Sequence, residues 1–326
     1  MSTTNVLYVK IALLYCVRIQ SMQNASTVLM VRPDHFAYNV QTAQTNPFMH
    51  SPASVDETSS RIRMLACREF DAMVACLRAN AINVLLLPSD PSLYTPDAVF
   101  PNNWFSTHED GSVVIYPMLT ENRRSERRID DLLPLLSSQK SVKRIIDYSS
   151  FEYSGQILES TGSMALDRVN KIAYAMLSPR TDLKLFRLWC SDMGYECIPI
   201  TVPKRYVGEV YHTNLHIYIG ASFAVVSKDV FASRAQYNSV VSLLERCSKR
   251  VIPLSLEQVY SFCGNILELC GSDGHNRIVL SETAYQSYTH QQRTMLSSNA
   301  LLLPVAIPII EQIGGGGVRC MMAEVF

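Results

Sequence analysis

The stretch FDAMVACLRANAINVLLLP, residues 70–88, decides the fold class. From Phe70 onward, apolar side chains recur at i, i+3, i+4 and i+7, which predicts an amphipathic helix. A short apolar run then leads to Pro88, and a run of this length predicts a strand with the proline at its edge or end. A helix followed by a strand of this kind is typical of α/β proteins.

The same helix-then-strand unit recurs four more times along the chain. The five apolar runs are marked by Pro88, Ile146, Pro199, Pro253 and Pro304. By subtraction the markers are 58, 53, 54 and 51 residues apart. Each unit could bury its strand only against its neighbours, so the spacing predicts a closed ring with pseudo-fivefold symmetry. An ordinary α/β protein with similar helix and strand lengths is the alternative.

A polar side chain follows each marker at a similar distance. These residues are Asn103, Glu159, His212, Asn265 and Cys320, at offsets of 15, 13, 13, 12 and 16 residues. A ring of five units would bring all five side chains to one end of its central axis. A thiol, an imidazole, a carboxylate and amides that converge in this way suit covalent attack on an electrophilic carbon.

Composition excludes several classes of function. The chain has 29 basic residues (Lys and Arg) and 29 acidic residues (Asp and Glu), so its formal net charge is zero. A nucleic-acid partner is therefore not expected. The nine cysteines form an odd set without a CxxC pair, which argues against a zinc ribbon or a disulfide scaffold and favours a reducing, cytoplasmic location. Metal-ligand spacing and cofactor-binding motifs are missing from the sequence, so neither a metal nor a cofactor is expected.

The sequence predicts one domain at residues 26–326, preceded by a poorly ordered extension at residues 1–25. The apolar part of that extension is too short to span a bilayer, so no membrane partner is expected. A weak signal sequence is the alternative interpretation of the same residues.

Four strings carry a resemblance to a known superfamily: DAVFPNNWFSTH (97–108), LESTGSM (158–164), YHTN (211–214) and GGGGVRCM (314–321). From about Ser26 onward the chain resembles the guanidine-modifying (amidinotransferase or pentein) superfamily. The likeness is greatest to its citrulline-utilisation hydrolases and dimethylarginine dimethylaminohydrolases. This resemblance implies a single-domain, five-bladed α/β propeller. It also implies hydrolysis of a non-peptide C–N bond in a guanidino or ureido amino acid, of arginine or citrulline type, through a covalent cysteine adduct.

Two other functions stay open within the same fold. One is an amidinotransferase that passes the amidino group to an acceptor amine, and the other is a non-catalytic binding module. The expected partner is a small guanidino or ureido molecule. Whether the chain forms a homodimer is left open.

The resemblance implies a role for each of three residues. Cys320 is the nucleophile, His212 is the general acid and base, and Glu159 holds the substrate nitrogens and orients His212. Each residue also has an alternative interpretation. Cys320 would be a structural cysteine, His212 a structural histidine and Glu159 a solvated acid. His216 is a weaker candidate for the catalytic histidine. Glu159 is followed by Ser-Thr-Gly, whereas the superfamily commonly has Gly-Gly-Asp.

The remaining candidates surround the expected substrate. They are Asn103, Asp97, Phe100, His108, Asn214, Asn265 and Arg319. Asn103 stands where arginine-type relatives have Asp, which favours a ureido or weakly charged guanidino group. Asp97 has a structural role in a Pro-Asp turn as its alternative. Arg319 either lowers the thiol pKa, binds a substrate carboxylate, or faces away, since neighbours on an extended strand point to opposite sides.

Overall fold

A computed structural model describes residues 22–54, 57–206, 208 and 210–326 of the chain. Its strands form five separate sheets of three strands each. In chain order the strands are β1 (Thr27–Val31), β2 (Asn83–Leu87), β3 (Phe105–Thr107), β4 (Ser112–Ile115), β5 (Arg144–Asp147), β6 (Ala165–Asp167), β7 (Ile172–Met176), β8 (Glu196–Ile200), β9 (Ile217–Ile219), β10 (Phe223–Ser227), β11 (Arg250–Leu254), β12 (Leu267–Cys270), β13 (Asn276–Ser281), β14 (Leu301–Val305) and β15 (Ala323–Val325).

All five sheets repeat one topology. The sheets are β15-β1-β2, β3-β4-β5, β6-β7-β8, β9-β10-β11 and β12-β13-β14. In each, the first pair is antiparallel and the second is parallel. Pro199, Pro253 and Pro304 lie in third strands, which pair on one side only, so the missing N–H of proline breaks no ladder. The predicted five-unit α/β ring is therefore confirmed.

A helix connects the parallel strands of each unit. The α-helices of the described residues are Val40–Ala43, Ser59–Ala79, Glu121–Arg124, Ile129–Ser137, Ser160–Ser163, Leu183–Met193, Arg234–Arg246, Leu256–Tyr260, Glu282–Ser287 and His290–Leu296. The first long helix buries the stripe predicted from Phe70. For the helix Leu183–Met193 the sequence predicts a looser stripe of Leu183, Phe186, Cys190 and Met193, whereas the structure buries Leu185, Phe186, Trp189 and Cys190.

The chain closes the ring by pairing its last strand with its first. β15 runs antiparallel to β1, with Leu29 opposite Ala323. The apolar side chains form clusters between neighbouring sheets, such as that of Leu29, Phe105 and Ile115 between the first two. Because the apolar side chains are buried between sheets, polar side chains occupy the central axis. The five residues that follow the markers lie there; we name them the marker-following residues (Asn103, Glu159, His212, Asn265 and Cys320).

Packing begins slightly before the predicted domain boundary. Gln23 is buried, and its Nε2 donates to the carbonyl oxygens of Leu166 and Ile219, at 2.9 Å each. Residues 1–21 of the predicted extension lie outside the described residues. Within the described ranges, no helix combines the length and the apolar character needed to cross a bilayer.

Candidate active site

The five marker-following residues occupy equivalent positions in the ring. Each lies in the turn just before the first strand of a sheet, and each is at most 3% exposed. Because the units are related by the pseudo-fivefold axis, equivalent turns meet at one end of that axis. The ring thus places the side chains of Cys320, His212, Glu159, Asn265 and Asn103 in one buried region.

His212 and Glu159 form a close pair. The Nε2 atom of His212 lies 2.7 Å from Oε2 of Glu159. Burial would raise the pKa of Glu159, but Arg180 and His212 outweigh it and hold that pKa well below its usual range. An ionised carboxylate can only accept, so Nε2 of His212 carries the proton and Nδ1 is left as a base.

Burial lowers the pKa of His212 to about 4, against the raising effect of its contact with Glu159. The imidazole is therefore neutral near pH 7 and able to accept a proton. Arg180 completes the pair from the other side, because its Nη1 lies 3.1 Å from the same Oε2 of Glu159. The backbone N–H of Leu119 donates to Oε1 at 3.0 Å.

Two amide side chains face the thiol of Cys320. Nδ2 of Asn265 lies 3.2 Å from Sγ, and Nδ2 of Asn214 lies 3.6 Å from it. Burial raises the pKa of Cys320, while Asn265, Arg319 and Asn214 act to lower it. The Oδ1 atom of Asn265 accepts from the backbone N–H of Arg319 at 3.1 Å, which orients its amide group with the N–H toward the sulfur.

A pocket opens beside the thiol; we name it the candidate pocket. Its lining consists of Thr42, Asn46, Asp97, Phe100, Asn103, Arg123, Arg180, Tyr211, His212, Gly314, Gly315, Gly316 and Cys320. The pocket combines a thiol, an imidazole, a carboxylate and two guanidinium groups. Such a set can hold a small ligand that carries both positive and negative charge.

Asp97 and Asn103 each present a free polar atom here. Oδ2 of Asp97 accepts from Asn39 at 2.7 Å and from Thr42 at 2.6 Å. Oδ1 of Asn103 accepts from Nη1 of Arg123 at 3.0 Å. Among the described residues, Oδ1 of Asp97 and Nδ2 of Asn103 are buried without a hydrogen-bond partner. One acceptor and one donor are thus unused.

Glycines shape the walls of the pocket. A Cβ at Gly314 or Gly316 would come within 2.8 Å of the Phe100 ring, so the glycine run lets that ring lie against the backbone. A Cβ at Gly162 would come within 2.4 Å of Nδ2 of Asn103 and 2.9 Å of the His212 ring. The amide of Asn103 therefore uses space that only glycine at position 162 leaves.

The departure after Glu159 has a backbone consequence. Ser160 adopts a φ of +44°, in the region that favours glycine, and the superfamily commonly has glycine at this place. Its hydroxyl donates to the carbonyl oxygen of Phe105 at 3.1 Å. This buried hydrogen bond stabilises a serine in a conformation that L-residues seldom adopt.

Three sequence candidates lie away from the candidate pocket. His108 packs near Trp189 and contacts Ser106, with 2.9 Å between its Nε2 and the serine Oγ. The side chain of Arg319 turns to Glu324 at 2.8 Å and to the Met322 carbonyl at 2.9 Å, so it faces away from the pocket, as one of its alternatives expected. His216 is buried, and neither ring nitrogen has a partner in the described part of the chain.

Sequence reasoning missed Arg123 and Arg180. Both are buried and line the pocket, and Arg123 is held by Glu126 through contacts of 2.9 Å to each oxygen. Burial raises the pKa of Glu126 to about 7 in spite of Arg123. No local pattern marks either arginine as a pocket residue, because its place there depends on contacts with other segments, such as Asn103 for Arg123 and Thr42 for Arg180. Over the described ranges, no group of three or more His, Cys, Asp or Glu side chains could hold a metal ion.

Comparisons with known proteins agree with this geometry. The chain matches the family model of eukaryotic N,N dimethylarginine dimethylhydrolase over residues 32–326. It is also similar to the N-terminal domain of ArgZ, an arginine dihydrolase from cyanobacteria solved with its substrate. The TM-score is 0.69 at 14% identity, over 92% of this chain and 97% of that one.

Two further solved structures share the fold. AgrE in complex with L-arginine has a TM-score of 0.70 at 15% identity, over 92% of this chain and 40% of that one. A dimethylarginine dimethylaminohydrolase bound to 4-chloro-2-hydroxymethylpyridine has a TM-score of 0.62 at 14% identity, over 92% of this chain and 99% of that one. No curated protein matches the chain by sequence.

The five-unit ring with its buried thiol, imidazole and carboxylate defines a member of the guanidine-modifying superfamily, as predicted. The chain belongs to the N,N-dimethylarginine dimethylhydrolase family, whose model spans nearly all of it. It is a hydrolase of C–N bonds other than peptide bonds, and it acts on guanidino groups.

Proposed function

We propose that this hydrolase removes an amine from the guanidino group of a free arginine-type amino acid, either arginine or an N-methylated arginine, and leaves a ureido amino acid. The observation that carries the proposal is the unpartnered Oδ1 of buried Asp97, which lies in the same pocket as Cys320 and His212. A carboxylate oxygen in that place can accept an N–H of a guanidinium group.

The pocket also contains two positive groups that can meet a substrate carboxylate. Arg123 and Arg180 line the pocket as permanently charged groups, and guanidinium groups bind carboxylates in a planar geometry. A free amino acid supplies such a carboxylate, whereas a decarboxylated amine lacks it. This complementarity favours a free amino acid over agmatine.

The chemistry follows from the protonation states of the pair. Nδ1 of His212 accepts the proton of the Cys320 thiol as the sulfur attacks the guanidino carbon, and a C–S bond forms. The same imidazole returns the proton to the leaving nitrogen, and the C–N bond breaks. Water then attacks the adduct, and His212 takes one of its protons. The C–S bond breaks, His212 returns that proton to the leaving thiolate, and the product gives up its remaining charge as a proton to solvent, which restores the free enzyme.

Asn103 suits the second half of this cycle. Its unpartnered Nδ2 is a donor, and a guanidinium group offers only donors. The incoming water and the ureido oxygen of the product are acceptors. We assign Nδ2 of Asn103 to the oxygen that replaces the leaving nitrogen.

The test is a substrate panel of arginine, monomethylarginine, asymmetric dimethylarginine, agmatine and citrulline, scored for released ammonia, methylamine or dimethylamine. We expect turnover of at least one of the first three, slower turnover of agmatine, and a ureido amino acid as product. Product that depends on an added acceptor amine would instead indicate an amidinotransferase.

Cys320→Ser provides the matched control. We expect it to abolish turnover while the thermal midpoint stays close to that of the wild type, because the change replaces one atom of a buried side chain. Mass spectrometry of acid-quenched wild-type protein should detect an adduct on the peptide that contains Cys320. Substantial activity of a folded Cys320→Ser protein would exclude this residue as the nucleophile.

A further inference from the structure

Tyr211 contacts several of the elements that enclose the candidate pocket, and the chemistry proposed above does not use it. It is 4% exposed, and its ring centroid lies 4.6 Å from that of the adjacent His212. Its surroundings connect the glycine run, Arg180 and residues 42–48, which we name the covering segment because Thr42 and Asn46 line the pocket.

The hydroxyl of Tyr211 orients one backbone carbonyl. It donates to the carbonyl oxygen of Gly315 at 2.8 Å, and Nδ2 of Asn46 donates to the same oxygen at 3.2 Å. A carbonyl oxygen has two lone pairs, so these two donors satisfy it fully. Tyr211 thus holds the carbonyl in the position where the covering segment can bind it.

Gly315 is itself suited to this junction. Its φ is +63°, a conformation that favours glycine. A Cβ at this position would come within 2.6 Å of both Nδ2 of Asn46 and Cγ of Met49. A side chain at 315 would therefore push the covering segment away from the glycine run.

The ring of Tyr211 supports Arg180. The guanidinium carbon lies 5.2 Å from the ring centroid, within the range of a cation–π contact. Nη2 of Arg180 donates to Oγ1 of Thr45 at 2.8 Å. Phe48 meets the Tyr211 ring edge-on, with centroids 5.9 Å apart. Arg180 is thereby held by both the ring and the covering segment.

We propose that Tyr211 is a positioning residue of this hydrolase. Its hydroxyl fixes the Gly315 carbonyl for Asn46, and its ring supports Arg180, so the docking of the covering segment depends on it. Substrate affinity is the property that this docking controls. The proposal rests on the proposed function only in its choice of substrate.

Kinetics of Tyr211→Phe provide the first test. This change keeps the ring and removes one hydrogen bond, so we expect KM to rise about 2–12-fold while kcat stays within about twofold. Tyr148→Phe is the matched control, because it removes a tyrosine hydroxyl bond of 2.6 Å to Asp192 outside the pocket lining, and it should leave KM unchanged. Tyr211→Leu also removes the ring and should raise KM further.

A double-mutant cycle separates positioning from independent contacts. Tyr211 and Asn46 bind one oxygen, so the combination of Tyr211→Phe with Asn46→Ala should raise KM by no more than the larger single effect. Two effects that multiply would overturn the proposal. A fall in kcat with an unchanged KM would overturn it too, since it would assign Tyr211 to the support of His212 alone.

Hydrogen exchange of the ligand-free protein gives a readout that needs no substrate. The amide of Phe48 is bonded to Oδ1 of Asn46 at 3.0 Å, so its exchange reports on the covering segment. We expect about 2–12-fold faster exchange at residues 46–50 in Tyr211→Phe, and no change in Tyr148→Phe. Unchanged exchange would overturn the proposal even if the substrate panel succeeds. Faster exchange would support it even if the panel fails.

Discussion

Asn265→Ala should raise the pKa of the Cys320 thiol. Nδ2 of Asn265 lies 3.2 Å from Sγ in a buried setting, and its amide is oriented by the 3.1 Å bond from the Arg319 N–H. A hydrogen bond to a charged group contributes about 1.5–3 kcal/mol, and a shift of one pKa unit corresponds to about 1.4 kcal/mol. Loss of this donor should therefore raise the thiol pKa by about 1–2 units.

The assay is alkylation of the ligand-free protein by iodoacetamide as a function of pH. Peptide-resolved mass spectrometry is needed because other cysteines, such as Cys67 and Cys270, are partly exposed. Below both pKa values the rate at Cys320 should fall about 10–100-fold in the variant, since only the thiolate reacts. The rate on the high-pH plateau checks whether the smaller side chain has changed access to the sulfur.

Asn214→Ala is the internal comparison. Its Nδ2 lies 3.6 Å from Sγ, a longer contact, so the same measurement should show a smaller rise in the thiol pKa. A folded Asn265→Ala protein with an unchanged or lower thiol pKa would refute the assignment of this amide to the thiolate. A larger effect from Asn214→Ala would refute the ranking of the two donors.

Three further predictions follow from other contacts. His212→Ala should lower kcat by about 10²–10⁴-fold, and a loss under about tenfold in steady-state assays would reopen the assignment of the base. Asn103→Asp loses the free donor and pairs with Arg123, so the inhibition constant of the ureido product citrulline should rise about 5–140-fold relative to KM for arginine; an unchanged ratio would show that this residue does not select charge. Burial raises the pKa of Glu69 to about 7 against bonds from the Ile309 and Ile310 N–H groups, so the folded state binds this proton more tightly than the unfolded state does. Protonated Glu69 therefore stabilises the fold below about pH 4.5, and this part of the free energy of unfolding is lost as the pH rises to about 7. The loss is at most about 3 kcal/mol. Denaturant titrations at pH 5 and 8 should show a smaller pH difference in Glu69→Gln, and an equal difference would contradict this source.

Local patterns were enough to predict the ring and its polar residues. The helix stripe from Phe70 and the apolar runs that end near Pro199 and Pro253 depend on periodicity within single elements, which the structure preserves. The stripe of Leu183–Met193 was less accurate, because burial there depends on contacts with neighbouring sheets that periodicity does not contain.

The candidate site was predicted where it follows the repeat and missed where it does not. The repeat indicated Glu159, His212 and Cys320 as a convergent set, and pseudo-fivefold geometry brings equivalent turns together. The sequence position of His108 did not show that it lies outside the site, because it belongs to the same sequence string as Asn103. In the structure it packs near Trp189.

The sequence by itself determined the number of units, their order and the polar residue that each unit contributes, because those features are written in short-range periodicity. Only the tertiary structure decided that Arg123, Arg180 and Tyr211 enclose the pocket and that the side chain of Arg319 turns to Glu324. These contacts join segments up to 138 residues apart, such as Arg180 and the Thr42 carbonyl. Their partners are chosen by packing and charge across the closed ring, which leaves no pattern in the neighbouring sequence.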